Sequence, residues 1–531
     1  MRISDFNMRR IKLNSTRLAL PAVAALTLLL GGCVVGPKYH APATQAPAEY
    51  KEVPAPSAPA PAQPATTNPS DPTIGGLGGW SVAQPSDAAL RGNWWEVYND
   101  PELNALEQQL NANNLNIKQS YENFMAARAM VREARSQLFP TASVTPAWTR
   151  SRSSANSAPT AVVTTAKGVQ ATLINLPAEV SWEPDLWGKV RNSVRQAQYQ
   201  AQLSAADLAN VRLSQQATLA TYFFELRGQD ALRQVLDNTV AADQKSLDLA
   251  RAQYETGISD QIAVVQAQAT LESAQAQATN TGLLRAQYEH AIAVLVGKAA
   301  SEFSIPVKPL LITPPPLPIS VPSKLLERRP DIAASERTMA AANAEIGIAY
   351  AAYYPNLTLS ASGGFSSSTW KHLLDIPSRF WSIGPSISET VFDAGLRRAT
   401  VHQYVAVYNA DLAGYRQTVL TAFQQVEDAL ASLRVLSQQI QQQRQAVEFN
   451  QRALDLELQR YESGIDPYID VVIQQNSLLA SQQILTEIEI QRTTASVQLI
   501  EALGGGWDRS QLPTVEQITQ KPTQSETALQ H

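Results

Sequence analysis

One thiol stands alone in this chain of 531 residues, Cys33, in the stretch LLLGGCVVGPKY. With no second cysteine, no disulfide can form within the chain. The chemistry left to it is covalent modification of sulfur. The five histidines, His40, His290, His372, His402 and His531, are scattered, so spacing suggests no metal site. No cofactor is expected. Carboxylates are plentiful, but they sit among Arg and Gln on helical stretches and read as solvated faces. Glu427 and Asp428 are adjacent and point different ways on a helix. Neither a Walker-type loop nor an activated-serine motif occurs. The reactive side chains therefore point away from an enzyme. Two glycine turns, QYETGIS and RYESGID, are the remaining candidates for a site, because they interrupt long helical patterns at matching points.

The segment before Cys33 explains the thiol. Arg2, Arg9, Arg10, Lys12 and Arg17 form a basic head, Leu18–Leu30 an apolar core, and Gly31-Gly32 a small pair. This is a secretory signal over residues 1–32, with an apolar core too short for a spanning helix. Its end resembles a bacterial lipobox, which implies that Cys33 is acylated and begins the mature chain. Val34, rather than Asp, follows it and suggests sorting to the outer membrane. Removing residues 1–32 takes away five basic residues and one acid, so the net charge moves from −5 to −9. That argues against a nucleic-acid partner. Residues 33–90 then read as a lipidated N-terminus followed by an Ala/Pro-rich tether.

Beyond the tether the chain is built from long helices. No proline occurs between Pro184 and Pro306 or between Pro385 and Pro467, and the pattern reads as helix from Trp187 to Glu255. At ~1.5 Å per residue such a helix is about 100 Å long, too long for a compact domain. The chain also repeats. Tyr254, Gly257, Val264 and Val265 recur as Tyr461, Gly464, Val471 and Val472, while Pro140 recurs as Pro355. Two structural repeats follow, at 91–305 and 322–507, joined by a Pro-rich linker at 306–321. Each holds a hairpin of weakly alternating strands, at about 138–184 and 354–392, and residues 508–531 form a flexible tail. Each strand has about the ten residues a tilted membrane strand needs. Four strands cannot close a barrel, and open edges are not tolerated in lipid. Several copies must therefore pool their strands if these cross a membrane. A periplasm-spanning scaffold rod would have no use for them.

The stretches GGCVVGPKY, NWWEVYNDPELNALEQQLNANN, EVSWEPDLWGKVR, LLERRPDIAASE and the paired glycine turns run from Cys33 almost to Trp507. In order and content the chain resembles TolC-like outer-membrane efflux proteins of the lipoprotein branch. The resemblance implies a mixed α/β membrane protein: a homotrimer whose twelve strands, four per chain, close an outer-membrane β-barrel above a long periplasmic α-helical barrel. It implies a passive exit duct for small molecules in a tripartite pump, working with a periplasmic adaptor and an inner-membrane resistance-nodulation-division transporter. A duct for type I protein secretion is the alternative, which the lipobox and RRPDI disfavour. Thr256, Gly257, Ile258, Ser259, Ser463, Gly464, Ile465 and Asp466 correspond to the turns where the adaptor docks. Asp470 corresponds to an acidic position lining the closed aperture. The family's next acid falls on Ile473, which turns a second charged ring into an apolar constriction.

Overall fold

The computed structural model describes residues 34–42, 46–47, 50–52, 92–154, 170–309 and 327–520. Cys33, the leader before it, all of residues 53–91 and the linker from 310 to 326 lie outside these. A short 3-10 turn, Trp94–Tyr98, precedes α1 (Pro101–Asn113) and α2 (Leu115–Ser136). Asp100 starts α1 by accepting from the amides of Glu102 (2.8 Å) and Leu103 (3.1 Å), with Pro101 in the first turn. After three strands come α3 (Lys189–Glu255) and α4 (Gln261–Leu295). The second half supplies α5 (Pro330–Ala351), two strands, α6 (Leu396–Glu462) and α7 (Tyr468–Ala502). A single turn, α8 (Val515–Thr519), ends the described chain.

Corresponding helices are equal in length. α2 and α5 each have 22 residues, α3 and α6 each have 67, and α4 and α7 each have 35. The absence of proline permits this length, and small side chains permit close packing. Ala197, Ala201, Ala263, Ala267 and Ala274 are all buried. A very close approach falls at Gly228 of α3, where an added Cβ would lie 2.2 Å from Ile490 Cδ1 of α7. Only glycine allows the two helices to meet there. The main core surrounds the 3-10 turn. Trp94 and Trp95 pack with Leu103, Leu110, Phe223, Phe224, Ile292 and Ile500, joining α1, α3, α4 and α7. Tyr98 shares a 2.7 Å hydrogen bond with Ser496.

The strands form one antiparallel sheet of four lanes: β1 (Thr141–Val144) and β2 (Ala147–Arg152), both paired to β3 (Gln170–Trp182), then β4 (Asn356–Ser367) and β5 (Arg379–Ser388). The outgoing lane of the first hairpin is split because Pro146 has no N–H for the ladder. Register sorts the side chains by face. Ala142, Val180, Ala361 and Ile383 stand in one row across the sheet, and Leu357 faces Ile387 on the same side. The alternate phase holds Glu179, Ser362 and Ser382. Val144, Trp148, Trp381, Ile383 and Ile387 are exposed. One face is thus apolar and bare and the other polar, the alternation of an outer-membrane strand. Among the described residues no helix is long and apolar enough to cross a membrane.

Both ends of the chain depart from expectation. The tether expected over 33–90 is docked in its first part. Val35 N–H donates to Trp187 O (3.1 Å), Gly36 lies against Gly347, and Tyr39 donates to Glu336 Oε1 (2.9 Å). Farther on, Glu427 accepts from the backbone amides of Lys51 (2.8 Å) and Glu52 (3.1 Å), so this acid is an anchor and not a solvated face. The flexible tail expected over 508–531 is corrected for 508–520. Ile518 is fully buried against Val131, Ala197 and Ala201. Arg128, itself buried, donates to the carbonyls of Gln517 (3.2 Å) and Gln520 (3.1 Å).

Candidate functional site

The two glycine turns close the helix pairs α3/α4 and α6/α7 with the same backbone. In the first, Thr256 follows α3, Gly257 takes φ +74°, and Ile258 N–H returns to Gln253 O at 2.9 Å. In the second, Ser463 follows α6, Gly464 takes φ +71°, and Ile465 N–H returns to Arg460 O at 3.0 Å. This bond closes a helix through a left-handed residue, which is why glycine stands at both positions. A Cβ added to either glycine would meet nothing within 4 Å. Their outer surface is therefore bare, and only a substitution would strain the backbone there. Ile258 and Ile465, just beyond each glycine, are 70% and 65% exposed. Ser259 is half-buried and Thr256 is exposed, with its hydroxyl returned to Ala252 O (2.9 Å).

Below the turns the two pairs differ. Asp260 caps α4 by accepting from Ala263 N–H (3.2 Å), whereas Pro467 occupies the corresponding position before α7. Asp466 is held by Arg460 through paired hydrogen bonds, one of 2.9 Å, which pull its carboxyl below the usual range. Glu457, one turn earlier, is pushed up by desolvation and by facing Asp466. Asp470 is half-buried in the first turn of α7, where the helix dipole favours a negative charge. Ile473 lies three residues on along the same face and is 51% exposed. Tyr254 of the first turn is exposed, but its counterpart Tyr461 is buried against Tyr468, with ring centroids 5.1 Å apart.

Sequence reasoning missed the support behind this end of the molecule. Asp243 of α3 is 2% exposed, and neither carboxylate oxygen has a hydrogen-bond partner among the described residues. Burial raises its pKa to about 6. Next to it, Tyr468 of α7 is pushed up to about 12, first by burial and then by the Asp243 charge. Gln475 Nε2 donates to Ser246 Oγ at 3.0 Å, completing a polar patch within the apolar contact of α3 and α7. A signal for it existed. Tyr468 stands where the first half has Gln261, so the halves differ at that position. Among the described residues no group of acids, histidines or cysteines could hold a metal.

Comparison with known proteins agrees with this architecture. The profile of the family described as "Outer membrane efflux protein" matches residues 106–298 and 321–505. The antibiotic efflux pump outer membrane protein ArpC of Pseudomonas putida is 31% identical over 496 residues, covering 92% of this chain and 96% of the relative. The toluene efflux pump outer membrane protein TtgC, also of Pseudomonas putida, is likewise 31% identical over 496 residues, with the same coverage. Among solved structures, the outer-membrane channel OprN superposes with a TM-score of 0.77 at 26% identity, covering 90% of this chain and all of that one.

Proposed function

Because this chain belongs to the outer membrane efflux protein family and is an outer-membrane exit channel of the TolC type, we propose that three copies close one duct and that the two glycine turns dock a periplasmic adaptor. The observation that carries the docking role is the tip itself. Two turns of identical backbone each present an open glycine beside a bare isoleucine, Ile258 and Ile465. In turns that only reverse the chain, an apolar residue after the glycine commonly packs back on its helix, whereas here both isoleucines are left bare. Thr256, Ser259, Ser463 and Asp466 complete the contact surface. The two halves, 91–305 and 322–507, act as duplicated units, a reading supported by their equal helix lengths. The unpaired outer edges of the four-lane sheet support closure by other copies. Four lanes from each of three chains make a twelve-stranded barrel.

In this reading the protein does no chemistry. An inner-membrane transporter of the resistance-nodulation-division type supplies energy, the adaptor engages the turns, and small molecules leave through the duct. Asp470 and Ile473 of α7 line the aperture that opens. Acyl chains on Cys33 hold the N-terminus in outer-membrane lipid beside the barrel, aiding assembly more than anchoring. Gly257→Lys combined with Gly464→Lys tests the docking role. Space is open at both positions, so the cost to folding is the backbone strain of about 1–3 kcal/mol per site. Trimers form, and export falls at least tenfold in a susceptibility assay. The Gly→Asn pair, which tolerates the same φ, keeps more activity. Normal export by the lysine pair would sink the assignment.

A further inference from the structure

Between α3, α4 and α7, well away from the turns, lies a cavity of about 430 Å³. That is within the range that encloses small organic molecules. Its polar wall is unbalanced. Glu225 of α3 and Glu487 of α7 both line it, and no lysine or arginine among the described residues does. Three nearby arginines are engaged elsewhere, Arg227 with Glu102 and Asp230, Arg233 with Asp237, and Arg285 with Asp230 and Glu289, and Arg492, next to Gln491 on α7, does not line the cavity. One turn from Glu225, Gln229 is 9% exposed, lines the same cavity, and its Oε1 has no hydrogen-bond partner among the described residues. A buried amide oxygen left unmatched costs free energy unless something donates to it. Leu232, Leu236, Leu284 and Ile490 give the lining its apolar surface, and neutral amide and hydroxyl side chains make up the rest.

We infer that this cavity binds an amphipathic organic cation, with its charged or N–H-bearing end between Glu225 and Glu487 and its apolar body against Leu236, Leu284 and Ile490. Glu487 already accepts from Gln491 Nε2 (3.2 Å) and Glu225 from the Tyr288 hydroxyl, but these neutral donors leave both negative charges uncompensated and Gln229 Oε1 unmatched, which selects a positively charged donor. The leucine wall selects an organic molecule over a hydrated metal ion, which would leave that surface uncovered. Glu225 has a reason to favour the charge. Glu225 is raised in pKa, mainly by desolvation and further by the proximity of Glu487, although the Tyr288 hydroxyl hydrogen-bonds to it and pulls the other way. A cation lodged between the two acids offsets the repulsion that Glu487 exerts on Glu225. This deepens the exit-duct reading by naming a class of solute that the duct holds in passage, and it rests on that reading for its physiological meaning. The test does not, because binding is measured on purified channel without pump or adaptor.

Ethidium serves as the probe, with fluorescein as the anionic control, each followed by fluorescence anisotropy on purified, detergent-solubilised channel. Wild type binds ethidium saturably and fluorescein not at all. Glu225→Gln with Glu487→Gln keeps the shape of the cavity and weakens ethidium binding at least tenfold. Leu284→Trp keeps both carboxylates, fills the apolar half from a partly exposed position, and weakens it similarly; it decides the matter if the double variant does not assemble. Absence of saturable ethidium binding to wild type overturns the inference. So does an unchanged affinity in either variant, or equal binding of fluorescein.

Discussion

Two acids near the helix turns, Asp466 and Asp243, have opposite fates at the residue scale. Asp466 is neutralised by Arg460, while Asp243 is buried with no partner among the described residues. A carboxyl whose pKa is raised on folding contributes stability that is complete below its ordinary value, near 3.8, and lost as pH rises through about 6. Asp243 therefore favours the contact of α3 with α7 increasingly as pH falls from 7 toward 4. Asp243→Asn removes this dependence. Amide exchange in α3, corrected for intrinsic rate, slows from pH 7 to about 4 in wild type and stays level in the variant. A wild-type channel with no such change would count against an unpaired Asp243. At the aperture proposed for α7, Asp470→Ala shifts single-channel cation selectivity toward neutrality, and an unaltered channel would remove Asp470 from the gate. The positions of both acids are plain in sequence, but their environments are not. Burial of Asp243 is decided by Tyr468 and Gln475, more than 220 residues away.

The elements themselves were largely legible. Two proline-free spans became the paired long helices, and weak alternation became the hairpins, because helix length and strand phase depend on local pattern. The clasp at the C-terminus was not legible. Residues 508–520 are mostly polar, and the apolar residue that seats them, Ile518, meets partners in α2 and α3 that no local pattern announces. Arg128→Ala unseats this segment by removing charged hydrogen bonds to two carbonyls, at a cost of about 2 kcal/mol. Limited proteolysis then cleaves after residue 507 in the variant and spares wild type. Gly228→Leu drives a side chain into Ile490 and costs about 1–3 kcal/mol or more as overpacking between α3 and α7. Its melting temperature falls, and Gly228→Ala lies between.

For the whole molecule, the open sheet edges decide the assembly. β1 and β5 are three lane spacings apart in one chain, about 14 Å at the usual strand separation. A disulfide needs Cα atoms about 4–7 Å apart. Cysteines placed at Ala142 to Val144 and at Ile383 to Ile387 can therefore bond only between copies. At least one pairing yields a ladder ending at three chains, and single-chain bands throughout would refute closure by trimerisation. The Gly228–Ile490 contact carries a mechanical consequence. It lies 27 residues above the end of α3, a lever arm of roughly 40 Å. A pivot of about 10° at that fulcrum swings the far end by about 7 Å. A force applied at the turns acts on that contact through the whole arm, so a small rotation where the helices meet accompanies a displacement of several ångströms at the tip that we propose docks the adaptor.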